Sequence, residues 1–321
     1  MDKYNLGQTI SNAMNKIITI SVVIIALAQF SCNNDKPKQE SAGTNPESME
    51  GSWRLISYID HEQGGTDWTS YSADIIYEKN ITPTHFTWIK YAKSKDDMLG
   101  TGGGTYVYKR GVYIENIQFF FPPGSSILGQ SIPFDVKLRD GKLYQTGYAL
   151  ETEFDPETGE MVVVDSVKIE EIWEKIPEEP KNASELIGTW ELLSYREEGD
   201  SIRLEHPDFF GCIKHITPTH FNWVFFNKEG DEVFAEGGGK YMLNGESYTE
   251  FIEYRYPRGS QKGVVVPYTG TVLPFSKKIE NGLWYHSGYV KKVRTDPDSG
   301  ERVVVDSTKI DEIWKRIEKK R

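Results

Sequence analysis

Residues 155–176 have the sequence DPETGEMVVVDSVKIEEIWEKI, and residues 296–317 have the sequence DPDSGERVVVDSTKIDEIWKRI. The two stretches share 15 identities over 22 positions at a constant offset of 141 residues. Further towards the N-terminus, residues 81–88 (ITPTHFTW) align in the same way with residues 216–223 (ITPTHFNW). The chain therefore contains a duplicated unit of roughly 130 residues, which is large enough for a domain with its own core.

Each unit lacks long stretches with helical spacing and contains short segments rich in Val, Ile, Tyr, Phe, Trp and Thr between turn signals. Turns such as Lys109–Gly111, Arg139–Gly141 and Asp155–Gly159 are short enough for antiparallel hairpins. Nine strands are predicted in the first unit: 52–58, 73–79, 84–91, 104–108, 112–121, 133–138, 143–154, 160–164 and 168–176. A meander of this length curls or closes to protect its edges. We therefore predict an all-β fold of two tandem antiparallel up-and-down barrels.

The first strand of each unit opens with a Gly-x-Trp motif, Gly51 to Trp53 and Gly188 to Trp190, as in the lipocalin signature. With its ordered Thr-His-Phe-x-Trp, Gly-Gly-Gly-x-Tyr and Tyr-x-Glu segments, each unit resembles the lipocalin-like, calycin-type domains of Bacteroidota lipoproteins whose function is unknown. The resemblance covers both units. It implies a barrel or half-barrel with a ligand cavity, a Trp packed across one barrel end, and no assigned chemistry.

The N-terminus carries the apolar run Ile17–Ala28, which is too short to cross a bilayer and is typical of a signal peptide, predicted at 1–31. Cys32 follows a small residue, as in a bacterial lipoprotein box, and is the predicted lipidation site. The segment Ala26–Ala28 also fits an ordinary A-x-A cleavage site, which would give a secreted soluble protein instead.

Residues 32–49 contain almost nothing apolar and are predicted to form a flexible tether. Barrel 1 is predicted at 50–177, a linker at 178–186 and barrel 2 at 187–318. We expect a protein of the bacterial cell envelope, anchored through the lipid on Cys32 to the outer membrane, on its periplasmic or its surface face.

The chain has 37 Lys and Arg against 48 Asp and Glu, a formal net charge of −11 at pH 7. This balance argues against nucleic acids and anionic membrane surfaces as main partners. Cys32 and Cys212 are the two cysteines, and no disulfide is expected between a tether residue and a domain residue. Cys212 is interpreted as a small semi-buried residue rather than a reactive thiol.

Alternation along residues 112–121 places aromatic residues on one face of a strand, and this face is predicted to be the inner one. The face comprises Tyr113, Glu115, Ile117, Phe119 and Phe121, and in the second unit Tyr248, Glu250, Ile252, Tyr254 and Tyr256. A carboxylate is costly there unless it is hydrogen-bonded or paired. Either each Glu orients a ligand, or Tyr hydroxyls and a basic group satisfy it internally. The predicted ligand-binding residues are Trp88, Tyr106, Tyr113, Glu115, Trp223, Tyr241, Tyr248 and Glu250.

His85 and His220 lie opposite the large aromatic residues of their strands, so each is expected to face outward or to lie at a strand end. Neither has a second His or Cys at ligand spacing, so no metal and no cofactor is predicted, with a haem or metal on a single His as the alternative. His286 aligns with Gln145 and carries no shared role. The triplet Gly102–Gly104 precedes a strand, which indicates close strand approach rather than phosphate binding.

The sequence has no Gly-x-Ser-x-Gly elbow, no Cys/His nucleophile pair and no His-Glu-x-x-His motif. The expected function is non-enzymatic binding of a small apolar or amphipathic ligand in aromatic-lined barrel cavities. Two alternatives are open: a surface module with filled barrels that binds a glycan or an envelope protein, and a hydrolase or isomerase that uses an interior Glu. The units differ at 118–120 and 253–255, and a basic loop at 258–262 belongs to the second unit alone, so one barrel is predicted to bind and the other mainly to pack or present it.

Overall fold

The computed structural model describes residues 48–93, 97–178, 185–196, 199–256, 260–261, 264–265, 270–296 and 298–319. Within these ranges the chain contains no helix and forms two closed antiparallel eight-stranded barrels in tandem, which confirms the predicted fold class. The described part accordingly has no helix with the length and apolar character of a membrane span. The predicted signal peptide, Cys32 and nearly all of the tether lie outside the described residues, as do most of the linker and of the loop 258–262.

Barrel 1 is a meander in which each long strand pairs with the next and the last pairs with the first. Its strands are β1 (Gly51–Tyr58), the short β2 (Thr69–Ser70), β3 (Ile75–Ile81), β4 (His85–Ala92), β5 (Asp97–Lys109), β6 (Val112–Phe121), β7 (Ser131–Arg139), β8 (Lys142–Asp155) and β9 (Glu160–Lys175). The two strands predicted at 160–164 and 168–176 are one strand, β9, because Asp165 to Val167 continue the ladder with β8.

Barrel 2 repeats this arrangement and closes through pairing of its last strand with its first. Its long strands are β10 (Gly188–Tyr195), β12 (Phe210–Ile216), β13 (His220–Asn227), β14 (Val233–Asn244), β15 (Ser247–Tyr256), β18 (Val272–Glu280), β19 (Leu283–Thr295) and β20 (Arg302–Arg316). Three two-residue strands accompany them: β11 (Leu204–Glu205), β16 (Ser260–Gln261) and β17 (Val264–Val265).

A β-bulge near the end of β6 reverses the directions of the side chains that follow it. Gln118 is an extra residue in the ladder with β5, so the side chains beyond it change face. Phe120 therefore points into barrel 1, where its ring lies 5.5 Å from that of Trp88, and Phe119 packs outward against barrel 2. The prediction that Phe119 and Phe121 share the inner face with Tyr113 is wrong for this reason.

Barrel 2 has the same bulge at the equivalent residue, Glu253. Tyr254 accordingly points out towards barrel 1, and its ring stacks on that of Tyr91 with centroids 4.9 Å apart. Arg255 points inward, with its guanidinium 5.4 Å from the ring centroid of Trp223. The inner face that the two units share thus ends at Ile117 and Ile252.

The glycine triplet of β5 is needed because other groups lie against it. A Cβ atom at Gly102 would lie 2.8 Å from the Trp88 ring, and one at Gly103 would lie 2.6 Å from the Phe119 ring. Both distances are shorter than any normal carbon contact, so a side chain would displace an aromatic ring. Close approach, the predicted role of the triplet, is confirmed.

The two barrels meet through reciprocal polar contacts between aligned residues. The hydroxyls of Ser52 and Thr217 lie 2.6 Å apart, and those of Thr189 and Thr82 also lie 2.6 Å apart. Ser52 aligns with Thr189, and Thr82 aligns with Thr217. Each contact is therefore the counterpart of the other under a pseudo-two-fold rotation.

Aromatic contacts between the barrels obey the same relation. Phe119 packs on Phe226 with centroids 4.9 Å apart, while Tyr254, the counterpart of Phe119, packs on Tyr91, the counterpart of Phe226. The duplicated units thus form an internal pseudo-dimer with a self-complementary interface, as in an isologous homodimer. We call this interface the seam.

Candidate functional site

Each barrel has a buried ion pair at the same place in its interior. In barrel 1 Lys79 Nζ donates to Glu115 Oε1 at 2.8 Å and to Gln145 Oε1 at 3.0 Å. In barrel 2 Lys214 Nζ donates to Glu250 Oε1 at 3.0 Å. All four charged side chains are almost fully buried. We call each pair, with the groups that contact it, the floor of its barrel.

The floor forms because β3 and β12 place a lysine on their inner faces opposite the glutamate of β6 or β15. A buried charge is tolerated when it is paired and hydrogen-bonded, and aromatic rings complete the enclosure. Lys79 Nζ lies 4.8 Å from the ring centroid of Trp173. Burial, and then the neighbouring carboxylate, raise the pKa of Tyr113 and of Tyr248 well above the usual value. Of the internal network that was one of the two predicted roles for each Glu, the basic group is present as Lys79 or Lys214.

The floor of barrel 2 carries a second pair. His286 Nδ1 and Glu312 Oε2 lie 3.0 Å apart, and Trp314 Nε1 donates to the same oxygen at 3.0 Å. Burial lowers the pKa of His286. Burial is the largest influence on the pKa of Glu312 and acts to raise it, but the contacts with His286, Lys214 and Trp314 together outweigh burial and the net shift is downward.

Barrel 1 has no such histidine, because Gln145 aligns with His286. Glu171, the counterpart of Glu312, accepts a hydrogen bond from Trp173 Nε1 at 3.0 Å. Burial raises the pKa of Glu171. The pKa of the second glutamate is therefore shifted in opposite directions in the two floors.

Barrel 2 contains a cavity of about 760 Å³ that runs from the open end of the barrel down to its floor. Its walls are mainly apolar and aromatic, and they include Cys212, Trp223 and Phe275. Lys214, Glu250, His286 and Glu312 line its lower end. Arg196, Arg255 and Lys309 also line it, together with Asp311. The cavity thus joins an apolar interior to a set of cationic groups.

In barrel 1 the corresponding cavity has about 390 Å³, and its lining includes neither Lys79 nor Glu115. Tyr77 blocks the way to the floor. Its ring lies 5.5 Å from that of Trp88, 5.1 Å from that of Trp173 and 5.7 Å from that of Tyr71. These rings fill the space that is open in barrel 2.

The predicted ligand-binding residues fall into four groups. Trp223 and Glu250 line the large cavity of barrel 2. The hydroxyls of Tyr106 and Tyr241 donate to the main-chain oxygens of Thr82 at 2.8 Å and Thr217 at 2.7 Å, away from that cavity. Tyr113 and Tyr248 are fully buried in the two cores, while Trp88 and Glu115 belong to the filled interior of barrel 1.

Cys212, Lys214 and Arg255 are among the cavity residues that were not predicted from the sequence. Alternation along β12 could have indicated that Cys212 faces the same way as Lys214, because residues two apart on a strand share a face. Both side chains face inward and line the cavity. Arg255 had no such signal, because the bulge at Glu253 reverses its direction. Cys212 is a free thiol, and burial raises its pKa above the usual range.

The fold and this site define a tandem β-barrel protein with one barrel open to a ligand-sized cavity and the other occupied by its own side chains. Comparison of the sequence finds no matching family model and no matching curated protein. Among solved structures, the chain is similar to a protein of unknown function from the DUF3598 family of Nostoc punctiforme PCC 73102. The two share 9% identity over 84% of this chain and 96% of that one, with a TM-score of 0.20.

A second solved structure is a mutant of the vaccine antigen transferrin binding protein B from Haemophilus parasuis Hp5. It shares 5% identity over 84% of this chain and 76% of its own length, with a TM-score of 0.20. At these identities and TM-scores neither similarity carries a conclusion about this chain.

Proposed function

We propose that this protein is a non-enzymatic binding protein that holds a small amphipathic ligand in barrel 2. The observation that carries the proposal is the cavity of about 760 Å³ between the open end of the barrel and the Lys214–Glu250 pair. That volume lies within the roughly 300–1,000 Å³ of small-molecule sites, and mainly apolar walls with a few polar groups are typical of such sites.

The charge arrangement favours a ligand with one anionic end. Lys214 is neutralised by Glu250 on the floor, so a second anion there would meet an ion pair that is already complete. Arg196, which lies 3.6 Å from Asp311, and Arg255, which lies over Trp223, both line the cavity. An apolar body would therefore enter towards Cys212, and a carboxylate or similar group would lie among the arginines.

Native mass spectrometry of the protein purified gently from its own host tests this proposal. A defined extra mass that solvent extraction removes is expected, and its fragmentation gives the class of ligand. An apo mass before extraction, together with no binding of a fluorescent fatty acid to the extracted protein, would contradict the proposal.

A second candidate function is favoured by the filled interior of barrel 1. The rings around Tyr77 occupy that interior, so a partner of barrel 1 would bind to its outer surface rather than in a deep site. Under this alternative the protein is a surface module that binds a glycan or an envelope protein. Cross-linking in intact cells distinguishes the two: a module retains its cross-linked partners when the cavity of barrel 2 is closed by substitution, whereas a ligand carrier loses its ligand.

The proposed location is the bacterial cell envelope, with a lipid on Cys32 as the anchor and a secreted soluble form as the alternative. The proposal rests on the lipoprotein-like sequence before Cys32. Replacing Cys32 by Ala is expected to move the protein from the membrane fraction to the soluble fraction. An unchanged distribution would support the secreted form if the wild type is soluble, and another anchor if it is not.

A further inference from the structure

Three side chains with metal-binding atoms meet at the seam. Glu78 comes from β3 of barrel 1, while His220 and Glu253 come from β13 and β15 of barrel 2. His220 Nε2 lies 3.9 Å from Glu78 Oε2 and 3.8 Å from Glu253 Oε2. One ligand atom from each residue lies within 4.8 Å of the other two.

His220 is buried, with 1% of its side chain exposed, and is held in place from one side. Its Nδ1 atom lies 2.8 Å from Thr219 Oγ1. Its Nε2 atom faces the two carboxylates and has no hydrogen-bond partner among the described residues. A metal-bound histidine typically coordinates the ion through one ring nitrogen, while a hydrogen bond at the other nitrogen orients the ring. His220 has both features: a hydroxyl at Nδ1 and, within the described part of the chain, an unoccupied Nε2.

The carboxylates are also oriented by neighbours. Arg54 pairs with Glu78 Oε1 and leaves Oε2 towards His220. Lys240 Nζ lies 4.0 Å from Glu253 Oε1, the oxygen that does not face the histidine.

The pseudo-two-fold relation supplies an internal comparison. The counterparts of Glu78, His220 and Glu253 are Ile213, His85 and Gln118. His85 makes the same contact to its preceding threonine, with Nδ1 2.8 Å from Thr84 Oγ1. Of the two positions in the seam that the pseudo-two-fold rotation relates, only one therefore has both carboxylates, while the histidine and its orienting threonine occur at both.

We propose that Glu78, His220 and Glu253 bind a divalent first-row transition metal ion that links the two barrels. One imidazole nitrogen and two carboxylate oxygens suit Zn²⁺ and its neighbours, and three protein ligands leave at least one coordination position open. Tetrahedral ligands about 2.1 Å from zinc lie about 3.4 Å apart. The two distances from His220 Nε2, 3.9 Å and 3.8 Å, therefore need to close by about half an ångström, and the two carboxylate oxygens start within 4.8 Å of each other. Glu253, with 32% of its side chain exposed, gives the ion a path from solvent.

The test uses untagged full-length protein, stripped with a chelator and titrated with Zn²⁺ by isothermal calorimetry at pH 7. One ion per chain and a rise in the thermal unfolding midpoint are expected. Replacing His220 by Gln is expected to weaken Zn²⁺ binding at least 100-fold. His85→Gln, the matched change at the pseudo-symmetric position in the seam, is expected to leave Zn²⁺ binding unchanged. Co²⁺ bound to the wild type is expected to give visible absorption bands that His220→Gln lacks.

A second variant covers the case in which His220→Gln does not fold. Glu253→Gln alters a partly exposed residue to the amide that its counterpart Gln118 already carries, and it is expected to abolish Zn²⁺ binding with circular dichroism unchanged. No Zn²⁺ binding to the wild type, or equal binding to the wild type and Glu253→Gln, would overturn the proposal. The cluster would then be a histidine held between two carboxylates.

Discussion

Tyr77 and Cys212 occupy the same inward position, the third residue of β3 and of β12, and the difference in their size separates a filled barrel from an open one. Tyr77 completes a layer of rings with Tyr71, Trp88 and Trp173. At Cys212 that layer is missing one ring, and the cavity continues to the floor. The change from Tyr77 to Cys212 therefore contributes to the difference between two interiors that share their ion pair and their tryptophans, together with the change from Phe120 to Arg255.

Replacing Cys212 by Tyr should close the cavity of barrel 2. The new ring enters space that is already open, so the free energy of unfolding is expected to change by less than the roughly 1–3 kcal/mol of ordinary overpacking. Binding of a fluorescent fatty acid should fall at least tenfold. Cys212→Ser is the control, because it removes the thiol and keeps the cavity; equal binding by the Tyr and Ser variants would show that the ligand lies elsewhere.

The reverse change, Tyr77→Cys, should open barrel 1 at the cost of stability. Removing a buried aromatic ring leaves a void, and such truncations cost about 3–5 kcal/mol. Urea unfolding measures the loss. Addition of the fluorescent fatty acid should recover part of it and show a second binding site, and a stable variant without a second site would contradict the role of Tyr77.

Duplication, strand order and the inward direction of Glu115 and Glu250 could all be predicted, because each depends on local alternation or on a direct alignment. The bulge at Gln118 could not, because an extra residue in a ladder is set by the pairing of two strands rather than by the composition of one. The Glu78–His220 contact joins residues of different units. A search for ligand spacing within one unit misses any site that forms only when the units dock.

Lys214 and Glu250 should be strongly coupled in stability. Lys214→Met leaves Glu250 as a buried uncompensated carboxylate, and breaking a buried pair from one side costs about 3–5 kcal/mol. The double variant Lys214→Met, Glu250→Gln removes both charges and should recover most of that loss. Chemical denaturation of the two single variants and the double variant measures the coupling, and additive losses would show that the charges stabilise the fold independently.

His215 should make the seam sensitive to acid. Its ring lies 5.9 Å from that of His85, and neither of its nitrogens has a hydrogen-bond partner among the described residues. Burial lowers the pKa of His85 from 6.5 to about 4, and burial followed by the neighbouring His85 lowers the pKa of His215 well below its usual value. The folded protein then binds fewer protons than the unfolded chain, so stability falls as the pH drops from about 6.5 towards 4.

The variant His215→Asn carries the residue of its counterpart Asn80, which accepts a hydrogen bond from Ser52 at 2.6 Å. Thr189, the counterpart of Ser52, is positioned to donate in the same way. The loss of unfolding free energy between pH 7 and pH 5 should be smaller in His215→Asn than in the wild type, by up to about 1.4 kcal/mol for each pH unit below 6.5. Equal losses would place the acid-sensitive group elsewhere.

Glu236 should make the protein less stable as the pH rises, which is the opposite of the pH dependence expected for His215. It is fully buried on the seam face of β14, where burial raises its pKa from 4.5 to about 8, although contact with Thr101 acts to lower it. The folded protein therefore holds a proton here that the unfolded chain loses above pH 4.5, and the free energy of unfolding falls as the pH rises from 4.5 to about 8 and levels off above it. Glu236→Gln keeps the shape of the protonated side chain and removes this dependence, so at pH 8 it should be more stable than the wild type by a few kcal/mol, at about 1.4 kcal/mol for each unit between the two pKa values. Urea unfolding of both proteins at pH 6 and pH 8.5 measures the difference, and parallel pH profiles would show that Glu236 is ionised in the folded protein and has an ion partner at the seam.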